Sequence, residues 1–129
     1  MSVSNEPFHI DGENYIPTID FNPTTSVLEI SGESYHEYTI EFYEPVFKWL
    51  RDFLSTDGRT LTFNFRMTYF NTSTSRRFLE IFDLLEEYQN NNNGNVTVNW
   101  YFQVDDVDME ESGEEYAEDV KLKFNLVEY

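Results

Sequence analysis

Leu61-Thr62-Phe63-Asn64-Phe65-Arg66-Met67-Thr68-Tyr69-Phe70-Asn71-Thr72-Ser73-Thr74-Ser75-Arg76-Arg77-Phe78 changes its hydrophobic period part-way along, and the change decides the fold. Leu61, Phe63, Phe65, Met67 and Tyr69 alternate with polar residues, the period of a strand with one buried and one wet face. From Ser73 to Gln89 the apolar positions Phe78, Ile81, Phe82, Leu85 and Tyr88 recur at steps of three and four, the period of a helix. Asn90 to Gly94 then stops that helix with residues that tolerate positive φ. A strand handing over directly to a helix is half of a βαβ unit.

The pattern repeats on both sides. Upstream, Tyr43, Val46, Phe47, Leu50, Phe53 and Leu54 mark a helix over Glu41–Leu54. Pro45 predicts that its regular hydrogen bonding begins close to that residue. Before it, Tyr15–Phe21 and Val27–Ser31 read as strands joined by the turn residues Asn22-Pro23-Thr24-Thr25, with a further short strand near Phe8–Ile10. Downstream, Val96, Val98, Trp100 and Phe102 alternate as a strand, Asp106–Glu118 reads as an acidic helix, and Leu122, Phe124 and Leu126 form a last strand. The order β-β-α-β-α-β-α-β predicts an α/β fold with parallel neighbours and right-handed crossovers. Alternating strands predict helices mainly on one face of a mixed sheet of about five or six strands. With 129 residues, no repeat and no linker, the chain reads as a single domain over residues 1–129.

Composition excludes several functions. Eight bases against 25 acids give a net charge of −17, a field that repels nucleic acid and anionic membranes. The charge serves solubility or a partner with a basic surface. Twelve Phe, nine Tyr and two Trp argue for a packed core despite the polarity. Met1 to Asp11 has neither a basic start nor an apolar run, so no signal peptide is expected, and no apolar stretch approaches the ~20 residues of a membrane span. The absence of cysteine suits a reducing, cytoplasmic compartment.

Enzyme signatures fail. Two histidines and no cysteine leave no metal cluster, no Gly-rich phosphate loop is present, and paired carboxylates are expected by chance in so acidic a chain. No catalytic residue, metal or cofactor is therefore assigned. His36, within Tyr35-His36-Glu37, has Ser34 close in sequence, but spacing alone makes no catalytic pair. The segment Asn71-Thr72-Ser73-Thr74-Ser75-Arg76-Arg77 holds four successive hydroxyls at a helix start. One Ser or Thr oxygen suffices to cap a helix. The same helix start, with its free amides, its positive dipole end and Arg76 and Arg77 in the next turn, can hold a phosphate.

These residues resemble the SiaC family of bacterial regulatory phosphoproteins, whose fold is similar to the STAS domain of the anti-sigma-factor antagonist SpoIIAA. The resemblance runs from about Tyr15 onward. It rests on Leu28-Glu29-Ile30-Ser31-Gly32-Glu33-Ser34-Tyr35 leading to Pro45-Val46-Phe47-Lys48-Trp49-Leu50, and on Tyr69-Phe70-Asn71-Thr72-Ser73-Thr74-Ser75 leading to Ile81-Phe82-Asp83-Leu84-Leu85-Glu86-Glu87. Trp100-Tyr101-Phe102 and the segment Asp108 to Asp119 complete it. It implies a phosphorylation site at Thr72, with Ser73 as the next acceptor and Asn71, Arg76 and Arg77 around the phosphate. It also implies partner switching, with a Ser/Thr kinase and a phosphatase acting on the site and the unphosphorylated form binding a diguanylate cyclase. The family's Pro-Glu-Asn after Tyr35 is here His36-Glu37-Tyr38, so Tyr35, His36 and Glu37 are candidate partner contacts. Two alternatives stand beside this reading: a small-molecule domain using an aromatic pocket, and an enzyme using acidic residues with His36.

Overall fold

In a computed structural model, which describes residues 6–129, the chain forms a six-stranded mixed sheet and three helices. The part of the N-terminal expectation that falls on residues 1–5 lies outside the described residues. The elements run β1 (Phe8–Ile10), β2 (Thr18–Asn22), β3 (Val27–Ser34), α1 (Thr39–Phe53), β4 (Thr60–Phe70), α2 (Thr72–Asn91), β5 (Asn95–Phe102), α3 (Val107–Asp119) and β6 (Lys123–Glu128). The strands lie in sequence order, β1-β2-β3-β4-β5-β6. The first two pairings are antiparallel, as hairpins allow, and the three spanned by helices are parallel, as crossovers require.

One core lies between the sheet and the helices. Leu28, Ile30, Leu61, Phe63, Phe65, Val96, Val98 and Trp100 point into it from the sheet, and Tyr43, Val46, Leu50, Phe78, Ile81 and Leu85 from the helices. The opposite positions, such as Glu29, Asn64, Arg66 and Asn99, are only half-buried, so the helices cover one face, as the alternation predicts. On that open face the amides of Asn125, Asn99 and Asn64 are hydrogen-bonded in a row across three strands. Arg66 lies over the Tyr101 ring, 3.8 Å from its centre.

Three expectations need correction. The strand expected from Tyr15 begins instead at Thr18. Glu13 and Ile16 close a tight turn by mutual backbone hydrogen bonds, and Tyr15 sits inside it at φ 76°. That conformation costs a bulky side chain about 1–3 kcal/mol. The first helix begins at Thr39, six residues before Pro45, so hydrogen bonding does not wait for the proline. Its start is held by the Thr39 hydroxyl, which donates to the His36 carbonyl, and by His36 Nδ1, which accepts from the Tyr38 amide at 3.0 Å. Finally, Tyr69 does not continue the buried row of Leu61, Phe63, Phe65 and Met67. Gly32 pairs with Met67 but Glu33 pairs with Tyr69, so Thr68 is an extra residue in β4. This bulge sits beside Gly32, whose φ is 96°, and reverses the alternation. Tyr69 is turned out to solvent, while Phe70 meets Phe78 and Trp100 at the core edge.

Candidate functional site: the mouth of the second helix

The bulge in β4 sets where α2 starts. Phe70 anchors the strand end, and the next residue, Asn71, is extended (φ −95°, ψ 179°) and caps the helix. Its Oδ1 accepts the Thr74 amide at 2.9 Å, while its own amide donates to the Ser34 carbonyl at the end of the neighbouring strand. The cap expected from a hydroxyl is thus supplied by an amide side chain. Asn is as good a cap as Ser and better than Thr, which releases all four hydroxyls for other uses.

They divide sharply. Thr74 is fully buried; its Oγ1 lies 2.8 Å from the Ser34 carbonyl and 2.9 Å from Ser34 Oγ, which in turn shares a hydrogen bond with Tyr43 Oη. Burial pushes the Tyr43 phenol far above its ordinary range, and the Ser34 bond offsets only part of that. Ser75 Oγ is bonded to Tyr116 Oη at 2.6 Å, which ties α2 to α3. Ser73 is half-buried, and Thr72, the first helical residue, is exposed. Of the four residues, only Thr72 is exposed at the helix mouth. The two arginines also differ. Arg76 is exposed, whereas Arg77 is largely covered, with Nε 3.1 Å from a Glu80 carboxylate oxygen.

Around Thr72 the C-terminal ends of the parallel strands form one edge. The rings of Tyr15, Tyr35 and Tyr69 stand edge to face in a row, 5.2 and 5.3 Å between centres. Tyr38, Ile40, Val104 and Val107 are also exposed along this edge. A cleft of about 400 Å³ lies against Tyr15, Tyr35, His36 and Glu37, which brings the three expected contact residues together. On the other side of Tyr69, a depression of about 190 Å³ reaches Asp106, Asp108 and Ser112 at the start of α3. Periodicity does not point to Tyr15, Tyr38 or Val107 at this edge: Tyr15 reads as a strand position, and the exposure of the others depends on chain paths that carry no periodicity.

The enzyme alternative finds no support in this geometry. Ser34 is committed to Thr74 and Tyr43, and His36 Nδ1 to the Tyr38 amide. Among the described residues no group of three or more His, Cys, Asp or Glu is placed to hold a metal ion. The carboxylates of α3, Asp108, Glu111, Glu114, Glu115 and Glu118, instead line an open trough with Ser112.

Comparison with known proteins identifies the family. A family model described as SiaC family regulatory phosphoprotein matches residues 10–129. A Pseudomonas aeruginosa protein, itself uncharacterized, is 31% identical over 118 residues, covering 92% of this chain and 93% of its own. The crystal structure of apo-SiaC from Pseudomonas aeruginosa superposes with a TM-score of 0.86 at 30% identity, over 95% of this chain and 98% of that one. SiaC in the crystal structure of the diguanylate cyclase SiaD with its activator SiaC, also from Pseudomonas aeruginosa, superposes with a TM-score of 0.88 at 30% identity, covering 95% and 99%. With a family match over nearly its whole length and relatives that share its fold from end to end, this chain belongs to the SiaC family of regulatory phosphoproteins.

Proposed function

We propose that this protein regulates a diguanylate cyclase by direct binding and that phosphorylation of the Thr72 hydroxyl gates the interaction. The observation that carries the reading is the sorting of the four hydroxyls, which leaves Thr72 exposed at the start of α2, three residues along the chain from Tyr69 of the aromatic row. A Ser/Thr kinase attaches the phosphate there, and a phosphatase removes it. Ser73, half-buried, is the lesser acceptor. The cyclase partner is carried over from the relative whose crystal structure contains SiaD. The unphosphorylated edge, with Tyr35, His36, Glu37 and Tyr69, is the surface that meets it.

The physics of the gate is local. A phosphate brings about −1.5 to −2 charges and three acceptor oxygens. Placed at a helix start it is held by the first-turn amides and the dipole, so the fold tolerates it. Asn71 and Arg76 are the polar neighbours that shape its surroundings, and Arg77 joins them only by leaving Glu80. Placed among exposed tyrosines that a partner would cover, the same dianion must be desolvated or expelled, which weakens capture. The kinase, phosphatase and cyclase assign the protein to the cytoplasm, and residues 1–129 act as one unit.

The test pairs modification with capture. Phosphate-affinity electrophoresis and mass spectrometry of protein from its native host are expected to find phosphate on Thr72. Thr72→Ala is expected to retain the cyclase in affinity capture and Thr72→Glu to lose most of it. Equal capture by the two variants, with Thr72 unmodified, overturns the proposal.

A further inference from the structure

We propose that the cleft beside Tyr15 and Tyr35 receives an arginine side chain presented by the protein partner. The inference rests on the reading of this chain as a partner-binding regulator and names the chemistry of one contact. Three observations support it. The cleft, about 400 Å³, is lined by two tyrosines, His36 and Glu37, so it offers ring surface and a carboxylate. A third ring, Tyr69, extends the row, and both Tyr15 and Tyr69 are 52% exposed. Their exposed faces carry the negative lobe of the aromatic quadrupole.

Charge points the same way. Glu37 lines the cleft and Glu33 lies close enough to act on the Tyr35 phenol, while no Lys or Arg lines the cleft. A cation is the complementary occupant. A planar guanidinium suits a cleft against a ring and a carboxylate better than an ammonium, because it stacks on a ring face while its edge donates in parallel to the carboxylate.

The third observation is how Tyr15 is held. Its φ of 76° is an outlier for a bulky residue. It is fixed from both sides: by the paired backbone bonds of Glu13 and Ile16, and by its carbonyl, which accepts the Tyr35 amide at 2.9 Å. Strained backbone of this kind persists where surroundings over-determine it, and it recurs at ligand clamps. Here it sets the Tyr15 ring edge to face with Tyr35, 5.2 Å away, before any partner arrives.

The probe is the blocked peptide acetyl-Gly-Arg-Gly-amide, titrated into the ¹⁵N-labelled full chain and followed by NMR. Saturable shifts are expected at the Tyr15, Tyr35 and His36 amides, with a Kd of about 10 mM, as for a single desolvated cation–π and carboxylate contact. The peptide with citrulline in place of arginine is expected to bind at least about fivefold more weakly, because it keeps the shape and loses the charge. Tyr35→Leu and Glu37→Gln, both on the surface, should each weaken the arginine peptide by about threefold or more. Equal responses to the two peptides, shifts elsewhere only, or shifts indifferent to both variants overturn the proposal. Thr72→Glu should leave peptide binding in place. Peptide binding without a phosphate gate would sink the switch and keep the cleft, and a gate without peptide binding would do the reverse.

Discussion

Hydroxyls on one helix turn differ sharply in burial, and substitution separates them. Thr74→Val keeps the shape of the side chain but removes a buried hydroxyl bonded to the Ser34 carbonyl and Oγ. Leaving those partners unsatisfied costs about 1–3 kcal/mol, which thermal unfolding should read as a fall of several degrees. Thr72→Val, two residues earlier and exposed, should stay within about 0.5 kcal/mol of the wild type. Equal destabilisation by the two would mean that Thr72 is a structural residue. Asn71→Ala should lose about 1 kcal/mol as the cap goes. A second residue-scale test concerns His9. Its imidazole lies 2.6 Å from an Asp11 carboxylate oxygen, and this bond raises its pKa above the usual 6.5; desolvation opposes the rise, and the charges of Asp11 and Asp20 add to it. A pKa raised by folding means that the protonated form favours the native state. The contribution is complete below the unfolded value and disappears as pH rises through the folded one. An NMR titration of the imidazole should place His9 above its ordinary value, and Asp11→Asn should bring it back; a midpoint at or below 6.5 in the wild type would contradict the bond.

At the scale of elements, the parts written as periodicity were legible and the parts written as single contacts were not. The three helices and the strands of the parallel half follow from apolar spacing, because an element with one buried face must repeat its period. The bulge at Thr68 breaks that rule. Nothing in Met67-Thr68-Tyr69-Phe70 marks where the alternation reverses; the reversal follows from the register against Gly32 and from the fit of Phe70 to Phe78 and Trp100. The helix mouth was legible for the same reason that helix starts usually are, since Asn, Thr and Ser cluster there. Which hydroxyl would be exposed was not, because that depends on Ser34, 40 residues away from Thr74 in sequence. Gly113 is a further contact that no local pattern reveals. A β-carbon there would fall onto the Trp100 ring and within 2.6 Å of the Leu126 side chain. In an isolated helix Gly→Ala gains up to about 1 kcal/mol. Here α3 would have to lift from the sheet, and overpacking of this kind costs about 1–3 kcal/mol. Gly113→Ala should therefore lower thermal stability despite its better helix propensity, and it should loosen the Trp100 Nε1 hydrogen bond to the Met109 carbonyl, visible as a shift of the indole N–H resonance. A rise in stability would show that α3 does not approach the sheet so closely.

For the whole molecule, charge sets a limit on how the proposed switch would work. The chain carries −17, and a phosphate adds about −1.5 to −2, roughly a tenth. A partner that senses the overall field would barely register so small a fractional change, and added salt would erase it. A partner that must cover Thr72 and the tyrosines beside it faces a different problem, the removal of water from a dianion, and that cost is set within the contact itself. The two mechanisms separate by ionic strength. The Debye length falls from about 10 Å at 0.1 M to about 3 Å at 1 M, which removes most of a field effect and little of a contact effect. We therefore expect the Kd of the proposed cyclase partner for unmodified protein to change with salt, because the acidic edge at Glu33, Glu37, Asp105 and Asp106 contributes long-range attraction or repulsion. The ratio of the phosphorylated to the unmodified Kd should hold within about threefold across that range, since the phosphate acts where salt does not reach. Calorimetric titration of both forms at the two ionic strengths measures the ratio directly. A ratio that collapses toward unity at high salt would place the switch in the field of the molecule and not at the mouth of α2.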